Sequence, residues 1–96
     1  MLVKINYKKG DIISIKLVTG EEIVAKFEEE TDTVITVDKP MSLQLGPQGM
    51  GISQFMLTMD MDSKVTISKQ NCLVIALTRK EMSDQYIQGT TRIAMP

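Results

Sequence analysis

The stretch from Asp11 to Asp38, DIISIKLVTGEEIVAKFEEETDTVITVD, constrains the chain more than any other, because its apolar residues recur with a period of two. Ile13, Ile15 and Leu17 fall on one face of an extended segment, while Ser14 and Lys16 share the other with Ile12 and Val18. Val18-Thr19-Gly20-Glu21 then reads as a tight turn, with Gly20 able to take the positive φ that closing antiparallel strands usually requires. Ile23, Ala25 and Phe27 alternate with Val24, Lys26 and Glu28, so a second strand folds back on the first. The small residue at its centre, Ala25, permits sharp bending of the sheet. The acidic run Glu28 to Asp32 reads as a solvated turn, and the β-branched series Thr33 to Val37 as a third strand.

Lys39-Pro40 interrupts that strand without ending it, since proline is tolerated at edges and bulges, and Met41 to Leu45 continues it. The loop Gly46 to Gly51 is the strongest break in the chain; its glycine spacing matches neither the dinucleotide nor the Walker fingerprint. From Ile52 to Met61, Phe55, Leu57, Met59 and Met61 alternate with Met56, Thr58, Asp60 and Asp62, which predicts a fourth strand. It bends at Asp60 to Ser63 and resumes from Lys64 to Ser68. Lys69-Gln70-Asn71 makes a short turn, and Cys72 to Leu77 is the fifth strand. Leu73, Ile75 and Leu77 point one way, Val74 and Ala76 the other, so this strand needs cover on both faces, most simply from a neighbouring subunit. Met82, Tyr86 and Ile87 fit two turns of amphipathic helix over Arg79 to Ile87, ended by Gly89, with Thr90 to Pro96, including Arg92, as a tail. MLVKINYKKG reads as a short strand or an ordered arm.

Ninety-six residues hold one core, so residues 1–96 form a single domain with its body at about 11–77 and an extension at 79–96. With no disulfide and few aromatic rings, association with copies of itself is a natural source of further burial. The chain has no His, and its single Cys72 sits in the apolar run CLVIAL, as a small buried hydrophobe does. No nucleophile and base can be paired, so neither an enzyme nor a catalytic residue is expected. Asp60 and Asp62 fall short of a calcium loop, and neither metal nor cofactor is expected. A net charge of −1 and a pI near 5.3 argue against a broad electrostatic grip on nucleic acid, so any RNA contact must be local. No apolar run approaches the ~20 residues that span a bilayer, and the start, MLVKINYKKG, has too short an apolar stretch for a signal peptide. These readings point away from the membrane and to the cytoplasm.

The spacing Leu17-x-x-Gly20-x-x-Ile23-x-Ala25-x-Phe27 resembles the first motif of the Sm-like (LSm/Hfq-type) family, and Ile67 to Leu73 weakly resembles the second. The overall pattern is closest to short Sm-like proteins of T4-like marine phages, which would place the protein in the cytoplasm of a bacterial host. The resemblance implies an all-β (mainly β) fold, a small, strongly bent five-stranded antiparallel Sm-like (SH3-like) barrel with a short C-terminal helix. It further implies that the fourth strand pairs with a neighbour's fifth, in a homo-oligomeric ring of six or seven copies that binds single-stranded RNA around its pore. On this chain the pore lining falls on Asp32, Thr33, Lys69, Gln70 and Asn71. The match has gaps. Ile35 or Thr36 stands where an Asn reads the base, Ser68-Lys69 replaces Arg-Gly, and Gln70 replaces the His of a Lys-His pair. Thr33 and Val34 offer no aromatic face for stacking. Two functions follow from the resemblance: a ring that chaperones or modulates RNA, and a structural or protein-interaction ring that has lost RNA recognition.

Overall fold

Gly20, at φ +95°, closes the first turn, and hydrogen bonds from Gly20 N–H to Leu17 O (2.9 Å) and from Leu17 N–H to Glu21 O (2.8 Å) seal it. This computed structural model describes residues 7–94, so the strand or arm expected over residues 1–6 lies outside the described residues. The turn joins β1 (Ile12–Leu17) to β2 (Glu22–Glu30), with Ile13 opposite Ala25 and Ile15 opposite Ile23. That register puts Ile13, Ile15, Leu17, Ile23, Ala25 and Phe27 on one face, where they are buried with Ile35 and Val37. Every apolar position of the Leu17 to Phe27 spacing is a core position.

The chain is mainly β, a single antiparallel sheet with one C-terminal helix, as expected. Its spine is β3 (Val34–Gly46), a 13-residue strand that joins both halves of the expected third strand across Pro40. One edge of β3 pairs with β2; the other carries β5 (Lys64–Ser68) along Val34–Asp38 and β4 (Gly49–Gln54) along Met41–Gly46. The strand count is therefore six and not five, because the expected fourth strand is cut in two. Phe55 to Ser63 leaves the ladder: the Asp60 carboxylate accepts from Asp62 N–H (2.9 Å) and Asp60 O from Ser63 N–H (3.0 Å), a local turn that competes with strand pairing. Leu57, read as a strand residue, is 86% exposed. The last strand, β6 (Cys72–Leu77), returns to pair with β1, and a three-residue 3-10 turn, Lys69–Asn71, links it to β5. β5 and β6 do not pair with each other, so the bent sheet is not closed within the chain.

Two further expectations change. Glu28 to Glu30 belong to β2 and not to a turn, since lysines answer their charges: Glu28 meets Lys64 (3.3 Å) and Lys9 (3.8 Å), and Glu30 meets Lys69 (2.7 Å). The helix α1 (Lys80–Ala94) runs through Gly89 and takes in much of the expected tail. Gly89 does not stop it; a Cβ there would lie 2.8 Å from Ile52 Cδ1, so the glycine lets the helix approach β4 closely. Met82, Tyr86 and Thr90, spaced by four, form the buried stripe of α1. Tyr86 joins Ile12, Val24 and Met41 in a second core on the outer face of the sheet.

That second core meets the sheet at a bulge. Val24 opposes Met41 and Lys26 opposes Asp38, so Lys39 and Pro40 together face Ala25 alone. Lys39 takes φ 50°, a left-handed conformation favoured by glycine, and the Tyr86 hydroxyl donates to Asp38 O (3.1 Å) and Lys39 O (2.6 Å). The left-handed conformation costs a non-glycine residue ~1–2 kcal/mol, whereas glycine adds ~0.5–1 kcal/mol of chain entropy. Lys39→Gly is therefore expected to stabilise the fold by about 0.5–1 kcal/mol in chemical denaturation. Tyr86→Phe, which strips two half-buried carbonyls of their donor, should destabilise it by about 1 kcal/mol or more.

Candidate functional site

Two turns that are distant in sequence lie side by side at one end of the sheet. The first, Thr31 to Thr33, is fixed by the Thr31 hydroxyl, which accepts from Thr33 N–H (3.3 Å) and Val34 N–H (3.2 Å). The second is the 3-10 turn Lys69–Asn71, capped by the Ser68 hydroxyl accepting from Gln70 N–H at 3.3 Å. Lys69 N–H donates to Thr33 O at 2.8 Å and ties the two together, extending the pairing of β3 with β5. The bent sheet thus brings all five residues expected to line a pore to one end of the molecule.

Their roles differ. Asp32 and Lys69 line an open groove of about 630 Å³ together with Tyr7, Glu30, Thr31, Cys72, Leu73 and Ile75. Thr33 lends the site its carbonyl, while Gln70 and Asn71 stay exposed on the neighbouring turn, and Asn71 O accepts from Val18 N–H at 2.9 Å. The Lys69 ammonium does not stand free: it is 2.7 Å from Glu30 Oε1, with both side chains mostly shielded from solvent. Among the described residues the groove therefore sets one cation, Lys69, against two carboxylates, Glu30 and Asp32.

Tyr7 and Glu30 are the two residues that sequence reasoning missed. The Tyr7 ring packs edge-on against Phe27 with centroids 4.8 Å apart, and its hydroxyl donates to Glu30 Oε1 at 3.4 Å. It gives the groove an aromatic side chain that neither Thr33 nor Val34 supplies. Glu30 sits inside an acidic run that reads as solvent-facing, and the β2 alternation alone would put it on the face opposite Phe27; the register shift between Phe27 and Glu29, which pairs Glu30 with Ile35, brings it to the groove. Cys72 is half-buried and not fully enclosed, its thiol 3.6 Å from Ser68 O. Burial raises its pKa, partly opposed by Lys69, so the thiol form is favoured. Among the described residues no group of three His, Cys, Asp or Glu side chains could hold a metal ion, and no helix is long and apolar enough to cross a membrane.

Burial, then the charge of Glu30 and the hydrogen bond to it, push the Tyr7 hydroxyl up to about 12. Burial followed by Asp38 also raises Tyr86, and these are the two tyrosines of the chain. Neither should ionise near the usual 10 while the protein is folded. Between pH 10 and 12 the unfolded chain releases tyrosine protons that the folded chain keeps, so stability is expected to fall across that window and to be insensitive to these groups below it. Tyrosinate absorbance on the native protein and on Tyr7→Phe checks this; a folded-state step at pH 10 would contradict it. A scan against protein-family models finds no family that matches this chain, and no curated protein matches it.

Proposed function

We propose that the protein is an Sm-like subunit that assembles into a homo-oligomeric ring and binds single-stranded RNA at the groove between the Thr31–Thr33 and Lys69–Asn71 turns. The observation that carries this reading is the groove itself: two turns joined by the Lys69 N–H to Thr33 O bond, with Tyr7, Asp32 and Lys69 on its walls. An aromatic face beside hydrogen-bonding groups suits a splayed base, and base stacking is worth ~1–3 kcal/mol without any large positive field. Self-assembly is supported by β6, an edge strand that carries no charge and leaves Leu73, Val74 and Leu77 exposed at 63%, 56% and 48%. Pairing of that edge with a neighbour's β4 and β5 would satisfy both free borders and close in a ring of six or seven.

The Lys69–Glu30 pair favours a second reading, a structural or protein-interaction ring, because it neutralises the one cation that the described residues of the groove offer a phosphate. Light scattering should give several times the monomer mass for the native chain and the monomer mass for Val74→Lys/Leu77→Lys. A native monomer would remove the ring. Fluorescence anisotropy with uridine-rich and adenosine-rich oligomers should show binding that weakens with salt and with Lys69→Ala, and that tightens when Glu30→Gln releases Lys69. Absence of binding at low salt, together with a protein partner recovered after nuclease treatment, would favour the second reading.

A further inference from the structure

We infer that the cavity between the β3 bulge and helix α1 is a binding site for a phosphate group, separate from the Tyr7–Lys69 groove, with which it shares no residue. The cavity measures about 230 Å³, and its polar walls are Lys26, Lys39, Tyr86, Thr90 and Thr91, with no carboxylate among them. The Tyr86 hydroxyl is committed to Asp38 O and Lys39 O, and the Thr90 hydroxyl to Tyr86 O (2.8 Å). That leaves the two ammonium groups, which only donate, and the Thr91 hydroxyl, which can donate or accept, to meet a ligand.

The backbone supports the same assignment. Lys39 occupies a left-handed bulge position where glycine would be unstrained, and the bulge aims its half-buried side chain, 25% exposed, at the cavity. Across the ladder Lys26 faces Asp38, and Asp38 faces Lys64. Asp38 is 3.8 Å from Lys39, and Lys64 is engaged by Glu28 at 3.3 Å. Lys26 has no ion-pair partner within 4.0 Å among the described residues. A phosphate, which carries up to about two negative charges, is the anion that the Lys26 and Lys39 ammonium groups suit best. It can come from an RNA backbone or from a small phosphorylated molecule.

Calorimetric titration with pyrophosphate, against sodium chloride at matched ionic strength, tests the site on the intact chain. Binding to the native protein is expected, about tenfold weaker in Lys26→Gln. Lys39→Gly separates binding from folding: it should bind pyrophosphate about tenfold more weakly although it unfolds at higher denaturant than the native chain. No heat beyond the chloride control, or the same affinity in both variants as in the native protein, would overturn the assignment. A uridine oligomer distinguishes the sources: weaker binding by Lys26→Gln points to backbone phosphate, and unchanged binding beside lost pyrophosphate affinity points to a small phosphorylated ligand.

Discussion

The architecture depends on one inserted residue in β3. Before the bulge, Ile35 and Val37 face the inner core; after it, Met41 faces the outer core with Val24 and Tyr86, although 35, 37 and 41 are all odd positions on one strand. Alternation along an unbroken strand would send Met41 to the same side as Val37, and a shift of one residue reverses every side chain that follows. Lys39-Pro40 makes that shift. Pro40 has no N–H to leave unpaired, and the Tyr86 hydroxyl occupies the carbonyls of Asp38 and Lys39 where the ladder is disrupted. The helix is thus more than a cover: its tyrosine ties down the irregularity that creates the surface it packs on.

The same bend decides where the edges lie. Because β3 changes direction, β4 and β5 share its one edge end to end, and β6 reaches only β1. The sheet is left with open borders that natural proteins usually protect with charge or proline, yet β6 reads CLVIAL and carries neither. Ile75 and Cys72 turn toward the inner core, and Leu73, Val74 and Leu77 remain in solvent. An apolar, uncharged edge of this kind is a liability unless another strand covers it, which is the physical ground for the proposed self-pairing.

What could be read in the sequence follows from the range of each interaction. β1, β2 and the first half of β3 were legible because Ile13 through Val37 alternate on one face and Gly20 marks the turn between them, both local signals. The split of the expected fourth strand was not, because Phe55, Leu57, Met59 and Met61 keep the period of a strand while the Asp60 carboxylate captures the backbone for a turn. Gly89 misled for a different reason: a glycine that ends a helix and one that admits a neighbouring Ile52 look the same in one dimension. At the candidate site, Lys69 could be placed from its turn, but its pairing with Glu30 and the approach of Tyr7 are products of strand register, which only the folded sheet reveals.

Charge then distinguishes the groove from the bulge. At the groove a phosphate must compete with a carboxylate 2.7 Å from Lys69 that is already in place, and must also approach Asp32. At the bulge, among the described residues, Lys26 lacks a counter-ion within 4.0 Å and Lys39 has only a long contact to Asp38. With a screening length of ~10 Å at 0.1 M salt, a polyanion responds to the nearest cluster and not to the net charge of −1. Electrostatic attraction therefore belongs to the Lys26–Lys39 face, and whatever discrimination the groove offers must come from Tyr7 and its hydrogen-bonding neighbours. If both proposals hold, capture at the bulge and recognition at the groove let an acidic chain engage a phosphate-bearing partner without a basic surface overall.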